Sequence, residues 1–205
     1  MKLSAPSFFQ VNSFCAEALI GLVADALDDA NVPTSANVLD LYCGAGTFTL
    51  PLAKTYARIC AIESAGSSIR DLRRNLKDNG LDDNVCVIGG DVARELPAIL
   101  AGKPDSENAT DDAANDANAQ NTTGACPTDY SAAVIDPPRA GLSDEALRVL
   151  ADARIPHIVY VSCNPSTLAH DIKYLNDYGY TLMRTTPVDM FPQTEHVESV
   201  SLLSL

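Results

Sequence analysis

The stretch Asn37-Val38-Leu39-Asp40-Leu41-Tyr42-Cys43-Gly44-Ala45-Gly46-Thr47 decides the architecture. Asn37 to Tyr42 is a short apolar run of the kind that forms a buried strand, and it leads through Cys43-Gly44-Ala45-Gly46 into a helix expected from about Thr47 to Lys54. A glycine turn at the carboxyl end of a first strand lets the backbone approach a ligand closely and points helix N–H groups at it. Two glycines alone are weak evidence, because many turns contain them.

Two neighbouring features sharpen the reading. The residue three after Gly46 is Thr49, so the third glycine of a dinucleotide site is missing, which argues against nicotinamide or flavin cofactors. The next strand, Arg58 to Glu63, ends in an acid 17 residues after Gly46. A carboxylate there can accept hydrogen bonds from both ribose hydroxyls of an adenosine moiety. The spacing predicts a nucleoside-type ligand at the switch point of a doubly wound sheet, with S-adenosylmethionine as the leading candidate. Asp91, past the third strand, either contacts the adenine or caps the following helix, and Asp40 is expected to support the loop.

Working outward, strands alternate with helices. An initial helix carries Phe14, Ala18, Leu19, Leu22, Val23, Ala26 and Leu27 at helical spacing, with Asn12 or Ser13 as its cap. Ser67 to Asn79 reads as an amphipathic helix ended by Gly80, Asn84 to Ile88 as a third strand, and Val92 to Leu100 as a short helix. Ser131–Ile135 and His157–Ser162 read as strands, Ser143–Ala153 and Thr167–Tyr178 as helices. Tyr180–Asp189 and Val197–Leu203 are two further strands with no helix between them, so the last is expected to enter antiparallel. The fold class is α/β: a doubly wound, seven-stranded, mostly parallel sheet with an antiparallel last strand. The 205 residues suit one domain.

Composition bounds the rest. No apolar run reaches the roughly 18–20 residues of a membrane helix, and no secretory signal opens the chain, so a cytoplasmic location is expected. The six cysteines are scattered without a CxxC pair, which predicts neither a disulfide framework nor a metal site. Cys15, Cys60 and Cys86 read as buried free thiols. The net charge is −13; residues 104–129 hold five Asp, one Glu and no Lys or Arg, so without them −13 + 6 leaves −7. Polyanion binding rests on basic residues, so this chain alone is expected to bind RNA weakly. Residues 101–129 lack large apolar side chains and read as an acidic, disordered insertion within the domain.

Three segments carry chemistry. Asp136-Pro137-Pro138-Arg139-Ala140-Gly141 follows the fourth strand, and its prolines hold Asp136 in one orientation at the sheet edge. Ser162-Cys163-Asn164-Pro165 follows the fifth strand and places a thiol at the mouth of the site instead of in a periodic core position. A free thiol has a pKa of about 8.5, and a helix starting near Ser166 or Thr167 would help lower it. Asp189 to Glu198 leads into the last strand; His196 and Glu198 share a face there. His196 is expected to be structural more than catalytic.

Phe8-Phe9-Gln10-Val11-Asn12, Leu41-Tyr42-Cys43-Gly44-Ala45-Gly46, Asp136-Pro137-Pro138-Arg139-Ala140-Gly141, Ser162-Cys163-Asn164-Pro165 and Phe191-Pro192-Gln193-Thr194-Glu195-His196-Val197-Glu198 occur in this order. Together they resemble the RNA uridine carbon-5 methyltransferases, which make 5-methyluridine in transfer and ribosomal RNA. The resemblance implies a Rossmann-like methyltransferase catalytic domain, with Gln10, Tyr42, Glu63 and Asp136 contacting S-adenosylmethionine. Gly44 and Gly46 form the turn beside it. It implies Cys163 as nucleophile, Glu198 as general base, and Asp136 as an aid in positioning the uracil. Relatives carry RNA-binding elements N-terminal to this domain, and the chain is expected to be a catalytic fragment without them.

Rival readings fit less well. A base amino-methyltransferase would follow Asp-Pro-Pro with an aromatic residue, but Arg139 stands there and Cys163 would have no use. Cytosine carbon-5 methylation would place its cysteine in a different motif. A cofactor-binding domain serving RNA binding or assembly without catalysis leaves Cys163 and Glu198 unexplained.

Overall fold

The computed structural model describes residues 13–103, 126–190, 193–194 and 196–205. Its strands form a seven-stranded sheet in the order β3-β2-β1-β4-β5-β7-β6, numbered along the chain. They divide between two compact units, one spanning Pro33–Tyr130 and the other containing the first helix through Val32 and Ser131–Leu205.

In the first unit β1 (Asn37–Leu41), β2 (Arg58–Glu63) and β3 (Val85–Gly89) are parallel, with Leu39 opposite Cys60 and Cys60 opposite Cys86. Their nearly unbroken burial explains why they read as continuous apolar runs instead of alternating ones. The connections are α2 (Thr49–Thr55) and α3 (Gly66–Asn79), and α4 (Val92–Leu100) follows β3. In α3 Arg70, Arg74, Lys77 and Asp78 are exposed, while Leu72 and Leu76 are fully buried together with Asp71. The helix stops at Gly80, whose φ of 65° is left-handed and whose N–H donates to the carbonyls of Leu76 and Lys77. Asp91 caps α4 by accepting from the Ala93 N–H at 2.9 Å.

In the second unit α1 (Ser13–Asp29) buries Leu19, Val23, Ala26 and Leu27 along one stripe. Of the cap expected for α1, Asn12 lies outside the described residues. β4 (Ala132–Ile135) and β5 (His157–Ser162) are parallel and joined through α5 (Asp144–Asp152), which Ser143 caps. After α6 (Pro165–Asp177), β6 (Thr181–Val188) lies at the edge of the sheet. β7 (Glu198–Ser204) then inserts between β5 and β6 and is antiparallel to both, as the missing helix led one to expect. An edge strand has one free backbone side, which is why Pro187 is tolerated within β6. Among the described residues no helix is long and apolar enough to cross a membrane.

Two expectations need correction. Cys86 is not a free thiol: it is joined to Cys126 in a disulfide, and the sulfur of Cys60 lies 3.7 Å from that of Cys126. Cysteines distant in sequence converge because parallel pairing sets Cys60 beside Cys86, a relation that spacing along the chain does not display. The end of the stretch expected to be disordered is also structured. Cys126 is bonded to β3, and the carbonyl of Asp129 accepts from the Asn37 side chain at 3.0 Å. Residues 104–125 and Cys15's side chain lie outside the described set.

Leu39 is fully buried at the centre of β1. Leu39→Ala is expected to lower the unfolding free energy by about 2–5 kcal/mol, read as a lower urea midpoint with an unchanged denaturant slope.

Candidate active site

The first unit builds the glycine loop. Tyr42, directly after β1, has a φ of 62°, and Gly44 and Gly46 follow at 56° and 100°. These left-handed residues turn the chain sharply away from the strand. A Cβ on Gly46 would come within 2.4 Å of Leu50 and 2.7 Å of Leu72, so this glycine lets the loop close on its helices. A Cβ on Gly44 would meet no atom of the described residues within 4 Å.

Glu63 stitches the ends of β1 and β2 together. One carboxylate oxygen accepts from the Gly44 N–H at 2.9 Å, the other from the Ala65 N–H at 2.7 Å. A carboxylate offers about four acceptor positions; Oε1 also accepts from the Ser64 hydroxyl at 3.4 Å, so the remaining capacity for a ligand hydroxyl lies on Oε2. Asp40 lies beneath the loop, fully buried, accepting from the Thr49 hydroxyl at 2.5 Å. Burial pushes its pKa up to about 7, a rise opposed by the Thr49 hydrogen bond and reinforced by the nearby charge of Glu63. Asp40 is therefore a support of the loop, as its position in the strand suggested. Asp91 is engaged as the cap of α4. Cys43 is buried, and desolvation with the charges of Asp40 and Glu63 holds its thiol far from ionisation.

The second unit gathers Asp136, Arg139, Cys163 and Glu198. Along β5 and β7 the paired residues end at Ser162 and Ser199; Cys163 follows directly on β5, Glu198 opens β7, and the charge of Glu198 acts on the Cys163 thiol. Cys163 is half-buried. Its thiol pKa is raised by burial, then by the charges of Glu198 and Asp136, against a smaller lowering from Arg139. The helix-assisted lowering anticipated from sequence does not prevail, because two carboxylates and partial burial outweigh it. Glu198 is itself buried; burial raises its pKa, and its Oε2 has no hydrogen-bond partner among the described residues. A desolvated carboxyl with an idle oxygen is suited to taking a proton.

The loops carrying these groups are braced. Asn164 caps α6 through the Ser166 N–H, and its side chain also donates to the carbonyl of Arg139 at 3.2 Å. The hydroxyl of Ser162 accepts from the Asn164 N–H, and the hydroxyl of Ser199 donates to the carbonyl of Ser162. Asp171, buried in α6, accepts from the Leu142 N–H at 3.0 Å and the Tyr160 hydroxyl at 2.6 Å. Gly141, at φ 81°, permits that approach, since a Cβ there would sit 3.0 Å from Asp171 and Thr167. The His196 ring Nδ1 lies 3.2 Å from the Arg139 guanidinium.

Each expected site residue but one is thus placed: Tyr42, Gly44, Gly46, Glu63 and Asp91 in one unit, Asp136, Cys163 and Glu198 in the other. Gln10 lies outside the described residues, as do Phe191, Pro192 and Glu195. Sequence reasoning missed Asp171, Thr49 and Asn164. The signal for Asp171 was present: it occupies the same helical stripe as Leu168 and Leu175, and a charge there needs buried partners.

A family model described as tRNA (uracil-5-)-methyltransferase matches residues 1–205. The chain belongs to that family. Among its relatives are an uncharacterized RNA methyltransferase of Protochlamydia amoebophila, 37% identical over 207 residues, and another of Caldanaerobacter subterraneus, 36% identical over 202 residues. These matches cover 100% and 98% of this chain but only 40% and 38% of the relatives. The chain thus spans about two-fifths of their length. The Pyrococcus abyssi tRNA (uracil-54, C5)-methyltransferase, solved in complex with S-adenosyl-L-homocysteine, superposes with a TM-score of 0.70 at 30% identity, covering 97% of this chain and 40% of that one. Magnesium protoporphyrin IX methyltransferase of Synechocystis, at 14% identity and a TM-score of 0.61 over 96% of this chain and 82% of that one, shares the fold alone. The family's Rossmann-like sheet is the one expected from the strand pattern.

Two measurements test this geometry. The fold favours protonated Asp40, so this stabilisation is complete below pH 3.8 and is lost as pH rises through about 7. Asp40→Asn keeps an acceptor for Thr49 and is expected to flatten that fall in unfolding free energy; identical slopes in both proteins would show that Asp40 titrates normally. Removing the neighbouring charge with Glu198→Gln is expected to shift the pH profile of Cys163 alkylation, mapped by peptide mass spectrometry, toward lower pH. A shift upward, or none, would mean that the carboxylate does not act on the thiol.

Proposed function

We propose that this chain transfers a methyl group from S-adenosylmethionine to carbon 5 of a uridine in transfer or ribosomal RNA, with Cys163 as nucleophile and Glu198 as base. The placement of Cys163 directly after β5 and of Glu198 at the start of the neighbouring β7, where the carboxylate's charge acts on the thiol, carries this reading. A thiol and a buried carboxylate with an unpartnered oxygen are the pair that addition and proton removal on one pyrimidine require.

The cofactor fits the first unit's residues. None of the described residues crowds Gly44, so a ligand can approach its backbone, and Glu63 keeps acceptor capacity for ribose hydroxyls. Tyr42 and Gly46 shape the same turn, the family motifs add Gln10 and Asp136 as contacts, and the position of Asp91 just past β3 adds it beside the adenine. When bound, S-adenosylmethionine supplies an electrophilic sulfonium methyl group.

The chain's own side chains do the remaining work. Half-exposed Cys163 gives its proton to solvent, and its thiolate adds to carbon 6 of the uracil, moving the ring's π-electrons onto carbon 5 as an enolate. Asp136 orients the ring. After carbon 5 has gained the methyl group, Glu198 takes the proton from that carbon. The returning electron pair re-forms the ring double bond and expels Cys163 as thiolate. The raised pKa of Glu198 makes it a better proton acceptor than an ordinary solvated carboxylate.

With a net charge of −13, this chain has little means of gripping phosphates. We assign tight RNA binding to the further length that the relatives possess, as an RNA-binding domain N-terminal to this one. Residues 1–205 are then the catalytic domain, acting in the cytoplasm.

The test is trapping on a 5-fluorouridine RNA, whose carbon 5 carries no removable proton. With the full-length protein and S-adenosylmethionine, a covalent adduct at Cys163 is expected. Cys163→Ala should abolish adduct and turnover while cofactor binding, measured by calorimetry, persists. Cofactor binding by the unaltered protein with no adduct and no methylated uridine would replace this reading with a non-catalytic binding domain.

A further inference from the structure

Apart from the glycine loop, the first unit assembles three sulfurs from three separate segments. Cys60 in β2 and Cys86 in β3 are register partners on adjacent parallel strands, so their side chains leave one face side by side. Cys126 reaches the same place from the segment ahead of β4. All three sulfurs lie within 4.8 Å of one another. The segment carrying Cys126 is held there by more than its sulfur: the Tyr130 hydroxyl donates to the Pro127 carbonyl at 2.7 Å, and Asn37 donates to the Asp129 carbonyl at 3.0 Å. Cys60 and Cys86 are buried, whereas Cys126 is half-exposed and leaves a way in from solvent.

We propose that Cys60, Cys86 and Cys126 form a redox-gated zinc site, closed while Cys86 and Cys126 are disulfide-bonded and open once that bond is reduced. Thiolates select soft d10 cations. Zinc–sulfur bonds of about 2.3 Å put the sulfurs of a tetrahedral site ~3.8 Å apart, and Cys60 and Cys126 already stand 3.7 Å apart. Three thiolates would leave the fourth position to a water molecule entering beside Cys126. The charge of three thiolates on a divalent ion is one negative unit, which a half-open site can hydrate.

The chemistry balances with a dithiol as reductant. It delivers two electrons and two protons to the Cys86–Cys126 bond, giving two thiols while closing into its own cyclic disulfide. Zinc binding then expels one proton from each of the three cysteines. In the oxidised chain only Cys60 is left to donate, and one thiolate does not hold the ion. Either state ties the segment before β4 to β3, so the site exchanges one crosslink for another.

The experiment uses the full chain, reduced with excess dithiol under nitrogen, freed of reductant and titrated with Zn2+, with Co2+ as a spectroscopic stand-in. One equivalent is expected to bind tightly, and cobalt should show the near-ultraviolet thiolate-to-metal band with an intensity of three sulfurs. The unreduced chain should bind neither ion. Cys60→Ser and Cys126→Ser should lose the binding, while Cys163→Ser keeps it; circular dichroism checks that each variant is folded. Equal binding without reduction, binding retained in folded Cys60→Ser, no stoichiometric zinc after complete reduction, or a disulfide that resists reduction in the folded chain would each overturn the proposal.

Discussion

The constraint on which the second unit depends is the antiparallel entry of β7 between β5 and β6. Had the last strand simply joined the edge, Glu198 would stand two strands away from the end of β5. Insertion instead makes β5 and β7 neighbours along six residue pairs, from His157–Ser204 to Ser162–Ser199. The last of these pairs brings the end of β5, which Cys163 follows, beside the start of β7, which Glu198 opens. The same insertion buries Glu198, and burial keeps its carboxyl from behaving as an ordinary solvated acid.

Around that pair, the structure spends its buried polar groups on loops. Asp171 and Tyr160 fasten the end of the Asp136–Gly141 loop to α6, and Asn164 fastens its Arg139 carbonyl to the start of the same helix. One helix thereby holds both loops that carry the unit's chemistry. Asp40 does the corresponding task beneath the glycine loop, through Thr49 at the start of α2. Buried carboxyls are costly unless satisfied; Asp171 is met by a backbone N–H, a hydroxyl and the His170 ring, whereas among the described residues Asp40 is met on one oxygen only, by Thr49.

Most elements were legible in the chain because their signals are local. β2, β5 and α4 fall on the residues expected from patterning, and the other boundaries move by one or two residues. α6 starts at Pro165 and not Thr167 because Asn164 caps it and proline suits a first helical turn. α2 starts later than expected, at Thr49, since the turn through Gly46 takes up the preceding residues. The placement of Tyr42, Gly44, Gly46 and Glu63 at strand ends was equally readable, for a strand's last residues announce themselves by the glycines and acids that follow.

The sequence by itself determined the alternation of strands and helices, the class of sheet and the five ordered motifs that mark the family, because each rests on a period or spacing of a few residues. Tertiary structure alone decided which groups face one another. Parallel pairing of β2 with β3 brought Cys60 to Cys86 and thence to Cys126, overturning the reading of scattered free thiols. Packing and burial decided that Asp171 is a support, and that the Cys163 thiol is raised and not lowered. Such outcomes depend on distances and desolvation between residues far apart in the chain, quantities that no local pattern contains.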